Sequence, residues 1–495
     1  MARVGRTLDT DPEAGFCPRV VCEEEMKRKM LLLARAVVYL IAFVVPLVLV
    51  GVVGVKVALS DRYEGPPDAA RVQAGELPAP PRRDPDKPTA VVLLSSQGSE
   101  VTDVLAPYEV LSESGAFNVY AAAPEREAAT LSGGLDVLPQ LTLTELDRKL
   151  GGEDPDVVVV PAMWEVGSPE HRPVAEWLRK HAEGTGTVMS VCDGAEVLAD
   201  ASLLDGRRAT ANWANIFRWE RRYPDTEWVR GLRYVEDGNV MTAAGVTSGV
   251  SATLRVVRGY VGEETAADLA RKIGYPDQRI GDEPRIEADR LTASDRALYV
   301  LGGAYGWDKP TIGVVLRDGL SEIELASVFD AYPGPAFTAK TTSLAPGGPR
   351  SPLESEHGLL FVPRYDLEGA PPLDRLIVPG RDAASETDPA VRSWARENGL
   401  EPEYVHADAP AGFPFDATLR DLAEHENAPV AGFLARLLEY PTDHLDLAED
   451  GWPFARLLRP LAVGLLGLVV VAALDRLVIT PATKALRHPP KGTGA

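Results

Sequence analysis

The run TVMSVCDGAEVLA, from Thr187 to Ala199, decides the fold. Its first five residues suit a short buried strand, and the residues after Gly194 fall at helical spacing. Cys192 therefore lies at a strand-to-helix turn. Such a turn pushes its side chain out of the sheet edge, and a helix N-terminus behind it favours thiolate over thiol. The bland alternative is a buried Cys in an ordinary α/β turn. Leu203 to Thr210 then read as helix end, tight turn and next strand.

The strand-helix alternation extends upstream and downstream. Ala90 to Ser95, Phe117 to Ala123 and Val157 to Val160 read as buried strands, and Val101 to Ser114 as a helix. Trp213 to Tyr223 reads as a helix, and the runs about Asp237-Gly238 as paired strands. The helix from Ser248 shows one apolar face through Val250, Leu254, Val257 and Val261. This order predicts an α/β fold, a doubly wound parallel sheet with its site at the C-terminal strand edge.

Over its full length, SVCDGAEVLADASLLDGRRATANW (190–213) resembles the nucleophile elbow of the DJ-1/PfpI family, within the class I glutamine amidotransferase-like superfamily. It is most similar to AraC-regulator sensor domains and to isocyanide hydratase. The resemblance implies a flavodoxin-like domain with Cys192 and an acid beside it. Gly98 to Glu109 resembles the stretch that supplies the acid, which places Asp103 there, with Glu100 as the fallback. Where related proteins carry His before Trp, this chain has Asn212 before Trp213. Asn takes no proton at neutral pH, and no His occurs from 182 to 356. His171 and His181, before the elbow strand, are expected to face solvent. Cys192 and Asp103 are thus the candidate catalytic pair, and Glu100, Asp193, Gly194, Asn212 and Trp213 the candidate binding residues. The helix dipole and a hydrogen bond from protonated Asp103 are expected to lower the thiol pKa, and Asp193 to raise it. No metal ligand and no cofactor are expected.

At 495 residues the chain has room for two ordinary domains. Its net charge is −22; residues 1–59 carry 8 Lys/Arg against 6 Asp/Glu and residues 456–495 carry 6 against 1, so the region between holds an excess of 29 acidic groups. That excess argues against a nucleic-acid partner, and the AraC resemblance stops short of any helix-turn-helix. Of the three Cys, Cys17 and Cys22 precede an apolar segment and Cys192 follows it, so no disulfide framework is expected.

The boundaries follow from composition. Residues 1–35 read as a cytoplasmic tail ending in Lys27, Arg28, Lys29 and Arg35, and 36–59 as a transmembrane helix, since a span needs about 20 apolar residues. A signal peptide is the alternative, but the apolar run is too long and no clear cleavage site follows. Residues 60–88 form a Pro-rich spacer, 89–280 the Cys-elbow domain, 281–308 a polar linker and 309–445 a second, degenerate copy. ATLRVVRGYVGEETAADLARKIGYP (252–276) aligns without gaps on ATLRDLAEHENAPVAGFLARLLEYP (417–441) with ten identities. Trp177 matches Trp394, and Val-Pro-Ala162 matches Val-Pro-Gly380. The spacing implies that the second copy has lost about 50 residues, the elbow among them. Residues 457–479 read as a second span, with Arg459 at its start, and 480–495 as a cytoplasmic tail.

The expectation is an integral membrane protein with two spans, both termini cytoplasmic and both domains extracytoplasmic, the two copies packed as an internal pseudo-dimer. Three functions stay open. One is a ligand- or redox-sensing module or pseudoenzyme; another is a Cys-dependent hydratase or hydrolase of an unknown small molecule; the third is a structural ectodomain.

Overall fold

The computed structural model describes residues 19–67, 79–276, 285–286, 292–407, 409, 412–447 and 451–479. The tails before 19 and after 479, Cys17 and residues 68–78 of the Pro-rich spacer lie outside them, as does the side chain of Cys22. The chain divides into two compact units, one of residues 1–52 with 457–495 and one of residues 53–456.

Helix α1 runs unbroken over Arg19–Arg62. The expected tail is therefore helical from Arg19 onward, helped by Glu23–Lys27 and Glu25–Lys29 pairs one turn apart. Ala58 is buried, and a Cβ on Gly54 would run into the Ala304 carbonyl, so the last turns of α1 pack on the globular unit.

In the first half of that unit come β1 (Thr89–Leu93), α2 (Val101–Glu113), β2 (Asn118–Ala123), β3 (Ala129–Leu131), β4 (Leu135–Leu138), β5 (Leu141–Thr142), α3 (Leu143–Leu150), β6 (Val157–Val160), α4 (Arg172–His181), β7 (Thr187–Val191) and α5 (Gly194–Asp200). They are followed by β8 (Arg208–Ala209), α6 (Ile216–Arg222), β9 (Glu227–Trp228), β10 (Tyr234–Asp237), β11 (Val240–Ala243), α7 (Ser248–Val261) and α8 (Glu263–Lys272). Seven strands form one sheet in the order β10-β11-β7-β6-β1-β2-β5. All neighbours are parallel except the β10–β11 hairpin. Both faces are covered, so the central strands are almost wholly apolar: β6 is four valines and β1 carries a single polar residue, Thr89. Val92, Val157, Val159, Met189 and Val191 pack on one side with α2 and α7, and Val91, Leu93, Val158, Val160 and Val188 pack on the other with α4 and α5. The chain reverses direction across the sheet between β1 and β6, where an open α/β sheet leaves its crevice.

The second half begins inside the expected linker. Thr292 and Asp295 form a capping box that starts α9 (Ala293–Tyr305), and Leu298 and Leu301 on that helix are buried. After it come β12 (Thr311–Val315), α10 (Glu322–Ala331), β13 (Lys340–Leu344), β14 (Leu353–Glu354), β15 (Leu360–Val362), β16 (Arg375–Ile377), α11 (Ala383–Glu386), α12 (Pro389–Glu397), β17 (Pro402–Glu403), α13 (Pro414–His425) and α14 (Ala428–Leu437). A parallel sheet runs β13-β12-β16-β17. The helix pair α13–α14 falls where the 25-residue alignment puts it, opposite α7–α8.

The halves are joined through backbone. Strands β4 and β15 pair antiparallel, Leu138 with Leu360 and Asp136 with Val362, within a four-stranded sheet β14-β15-β4-β3. Beside it Arg364 Nε donates to Asp136 Oδ2 at 2.8 Å, both side chains buried. Helices α2 and α10 pack together: Glu109 of α2 accepts from Ser321 Oγ (2.6 Å) and Ile323 N (2.7 Å) at the start of α10, and Asp330 of α10 accepts from Thr102 Oγ1 (2.8 Å) at the start of α2.

Helix α15 (Leu458–Leu474) closes the described chain, ending in a π turn at Asp475–Ile479. A Cβ on Gly464 would overlap Phe43, and one on Gly467 the Ala42 carbonyl, so α1 and α15 approach closely through small residues. Arg35 pairs with Asp475 at 3.0 Å. Both Glu25–Arg62 and Phe454–Leu477 are long and apolar enough to cross a membrane.

A His–carboxylate cluster marks the seam between the halves. His357 Nδ1 lies 2.8 Å from Glu322 Oε2, and Nε2 lies 3.1 Å from Glu113 Oε2. Burial opposes the imidazolium, but Glu322, Glu109 and Glu113 outweigh it and lift His357 to about 9. Burial and then Glu322 push Glu109 upward as well. Both groups hold protons more tightly in the folded state, so the stability they confer is complete at low pH and is lost as pH rises through their folded pKa values. We expect the unfolding midpoint of the full chain to fall between pH 6.5 and 9, by the equivalent of about 1–3 kcal/mol. His357→Gln should flatten that difference; an unchanged pH dependence in the variant would place the titration elsewhere.

Candidate active site at the Cys192 elbow

The elbow forms where β7 ends at Val191 and α5 begins at Gly194. Cys192 sits between them with φ of 57°, the left-handed region that non-glycine residues seldom occupy. Its N–H donates to Ala243 O of β11 at 3.1 Å, which pins the turn to the sheet. Gly194 is required by proximity. A Cβ there would run into the Val160 carbonyl and Pro161, so its place among the candidate binding residues reduces to letting the elbow settle on β6.

Around the thiol stand carboxyl groups. Asp103, fully buried, accepts from Ala162 N at 3.0 Å through Oδ2, while Oδ1 has no hydrogen-bonding partner. Burial, and after it the neighbouring Glu100, push its pKa well above the usual carboxylate range. Asp193 turns toward α6, where it accepts from Trp219 Nε1 (2.9 Å) and Asn215 Nδ2 (2.6 Å); burial outweighs these bonds and raises it too. Cys192 is 7% exposed. Burial first, then Asp103, Asp193 and Glu100, push its thiol well above the ordinary value. This reverses the expected lowering. A helix terminus contributes about 0.3–1 kcal/mol, and α5 has only seven residues, too little to offset a thiolate buried among carboxyls.

Two candidate binding residues serve another purpose. Asn212 Nδ2 donates to Leu437 O at 3.2 Å and its Oδ1 accepts from Ala214 N at 3.0 Å, so the amide is engaged by α14 and its own turn. Trp213 Nε1 donates to Arg436 O at 2.9 Å, and its ring packs with Leu298, Val430 and Phe433. Both tie the elbow half to the second half. The histidines expected at the surface are buried. His171 has neither ring nitrogen hydrogen-bonded, and burial lowers its pKa; His181 lies against Trp177 with Nδ1 2.6 Å from Asp154.

Three residues that sequence reasoning missed complete the site. Arg62 Nη2 contacts Glu100 Oε2 at 3.0 Å and Asp330 Oδ1 at 2.9 Å. The Tyr63 hydroxyl donates to Glu100 Oε2 at 3.3 Å, and its ring stacks on Trp164 with centroids 4.9 Å apart. Asp330 is fully buried and pushed upward by burial and Glu100. The only hint was an Asp-Arg-Tyr triplet at the end of an apolar run, which reads as a membrane flank.

The second half places a different group at the elbow register. Ile377 pairs with Glu403 as Val159 pairs with Met189, so His406, three residues on from Glu403, holds the strand register that Cys192 holds in the first half. Gly380 N donates to His406 Nδ1 at 3.0 Å, which puts the imidazole proton on Nε2, 3.0 Å from Ser327 Oγ. Ser327 in turn donates to Glu324 O, so His406 acts there as donor and not as a base. Burial, then Arg381, lower it to about 3. Among the described residues, Glu109, Glu322 and His357 come close enough to share an ion, but each is already hydrogen-bonded within the protein.

With the thiol held protonated and Asp103 held neutral, the closed site offers two proton donors, and the carboxylate of Glu100 is engaged by Arg62 and Tyr63. Alkylation of Cys192 by iodoacetamide in the native chain should lag a free peptide thiol at pH 7.5 and climb only in the alkaline range. Asp103→Asn, which keeps the position neutral as the buried acid already is, should change the rate at pH 7.5 less than about twofold. A native rate equal to that of a free thiol would mean that burial does not control the group.

Comparison with known proteins fits this geometry. Residues 89–258 match the DJ-1/PfpI family. Isonitrile hydratase of Pseudomonas putida is 31% identical over 179 residues, which cover 35% of this chain and 72% of that protein. The HTH-type transcriptional regulator CdhR of Pseudomonas aeruginosa is 31% identical over 123 residues, 25% of this chain and 35% of the regulator. Among solved structures, DJ-1beta of Drosophila melanogaster aligns with 22% identity over 38% of this chain and 97% of its own, at a TM-score of 0.32. The family match over residues 89–258 and the 31% identity to isonitrile hydratase across 72% of that protein make the chain a member of the DJ-1/PfpI family.

Proposed function

We propose that the protein is a membrane-anchored, extracytoplasmic ligand- or redox-sensing module built on the Cys192 elbow. One observation carries the reading: the elbow keeps its strained geometry while its thiol is buried and protonated and the neighbouring Glu100 carboxylate is tied up by Arg62 and Tyr63. A turnover site needs its nucleophile or base ready in the resting state, whereas a sensor needs it only when the pocket is engaged. In the redox form, the thiolate sulfur attacks one oxygen of hydrogen peroxide, the O–O bond breaks, and the products are a sulfenic acid and hydroxide; sulfur is oxidised and the peroxide reduced. The second half is, in this reading, a reduced copy that packs on the first as a dimer partner would, and the low-pKa His406 leaves it without nucleophilic chemistry.

A second reading has an observation of its own. Asp103 is a neutral carboxylic acid beside a Cys, with one oxygen unpartnered, which suits acid-assisted addition of water to a small molecule. The P. putida relative carries a hydratase name. Incubating the purified full chain with an alkyl isonitrile and assaying for the N-substituted formamide separates the two. The sensing reading expects no product above a Cys192→Ser control; turnover that needs both Cys192 and Asp103 would overturn it.

For the membrane arrangement we infer cytoplasmic termini, supported by Lys27, Arg28 and Lys29 before the first apolar run and Arg487 and Lys491 after the second. In a chain with all three native Cys replaced by Ser, Glu176→Cys on the exposed face of α4 should react in intact cells with a membrane-impermeant maleimide. Reaction only after lysis would overturn the topology.

A further inference from the structure

The turn that ends α1 is seated on the elbow pocket by more contacts than a tether requires. Lys340 pairs with Asp61 at 2.8 Å, Gly133 N donates to Arg62 O at 2.9 Å, and Arg364 Nη2 donates to Glu64 O at 2.6 Å. Arg62 itself is drawn in between Glu100 and Asp330, the first from the elbow half and the second from the other half. Tyr63 lies flat on Trp164, and the loop before α2 is shaped to receive it. Gly98 adopts φ of 121°, and a Cβ there would stand 2.7 Å from the Tyr63 ring. The body has therefore left out a side chain where the tyrosine rests.

These contacts close over the carboxyl groups that surround Cys192. With Arg62 in place, the buried Glu100 has a cation within hydrogen-bonding distance; without it, that carboxylate would have to take up a proton or water. The seat is held by the Asp61 and Arg62 ion pairs, the Tyr63–Trp164 stack and two hydrogen bonds to its backbone, all non-covalent and confined to four residues, so the turn can be both the resting state and displaceable.

We propose that the Asp61–Glu64 turn is a gate on the Cys192 pocket: Arg62 and Tyr63 hold it shut, and withdrawal of the turn at the end of the anchor helix exposes the thiol. The gate rests on the reading of this pocket as the sensing site and adds its regulation. The turn follows directly on the last residues of α1, Ala58 among them, that pack within the globular unit. The site is then read out only when the anchor lets go.

The test measures access to Cys192 in the full chain reconstituted in lipid nanodiscs, with Cys17 and Cys22 replaced by Ser and N-ethylmaleimide as the probe. Arg62→Ala and Tyr63→Ala should each raise the labelling rate about tenfold, whereas Tyr63→Phe, which keeps the stack, should change it less than about twofold. Labelling at the parental rate in both alanine variants, with the thermal midpoint retained, would overturn the gate. If either loses its fold, Trp164→Ala removes the stacking partner from the opposite side and decides in the same way: faster labelling supports the gate, and the parental rate overturns it. Labelling reports access whatever the pocket binds. Open variants in which peroxide leaves Cys192 unmodified would therefore sink redox sensing and leave the gate standing.

Discussion

The exchange of carboxylates between α2 and α10 is the interaction on which the rest of the globular unit depends. The first turn of any helix leaves N–H groups without intrahelical partners, and where that end is buried something must satisfy them. Here each helix supplies an acid to the start of the other, Glu109 to Ile323 N and Ser321, and Asp330 to Thr102. The exchange fixes the relative slide of the two helices, and with it the two halves. It also brings Asp330 beside Glu100 at one end and Glu322 beside Glu109 at the other, so the elbow pocket and the His357 cluster are the two ends of one contact.

That arrangement explains how an acidic protein buries so much charge. Glu100, Asp103, Asp330, Glu109 and Glu322 are all buried, and isolated carboxylates there would be prohibitive. The structure divides the cost between protons and cations. Asp103 and Asp330 stay neutral through burial, Arg62 meets Glu100, and His357 bridges Glu322 and Glu113. The elbow thiol inherits this environment, and its suppressed ionisation follows from its neighbours more than from the short helix behind it.

Much of the elbow half was legible in sequence because its signals are local. The switch from apolar run to helical spacing located Cys192, and valine-rich runs located β1, β6 and β7. The acid at Asp103 came from resemblance, and the structure placed it against Ala162 near the elbow. What could not be read depends on contacts between residues far apart in the chain. Asn212 and Trp213 look like site residues because they adjoin the elbow, yet their partners Leu437 and Arg436 lie more than two hundred residues away. His171 and His181 sit among charged residues and read as exposed, while the helix turns them inward. Arg62 and Tyr63 resemble a membrane flank, and nothing local distinguishes that from a residue inserted into a pocket.

The imidazole of His406 bears on stoichiometry. A symmetric pair of elbow domains would present two thiols whose occupancies could influence one another, giving sigmoidal or half-of-sites responses. In this chain the matching register holds a neutral ring whose proton is fixed by a backbone amide. On the proposed sensing reading, each polypeptide carries one elbow thiol among its described residues, and its response follows a simple hyperbola. Steepness, where a cell needs it, has to come from the number of chains brought together and not from within one.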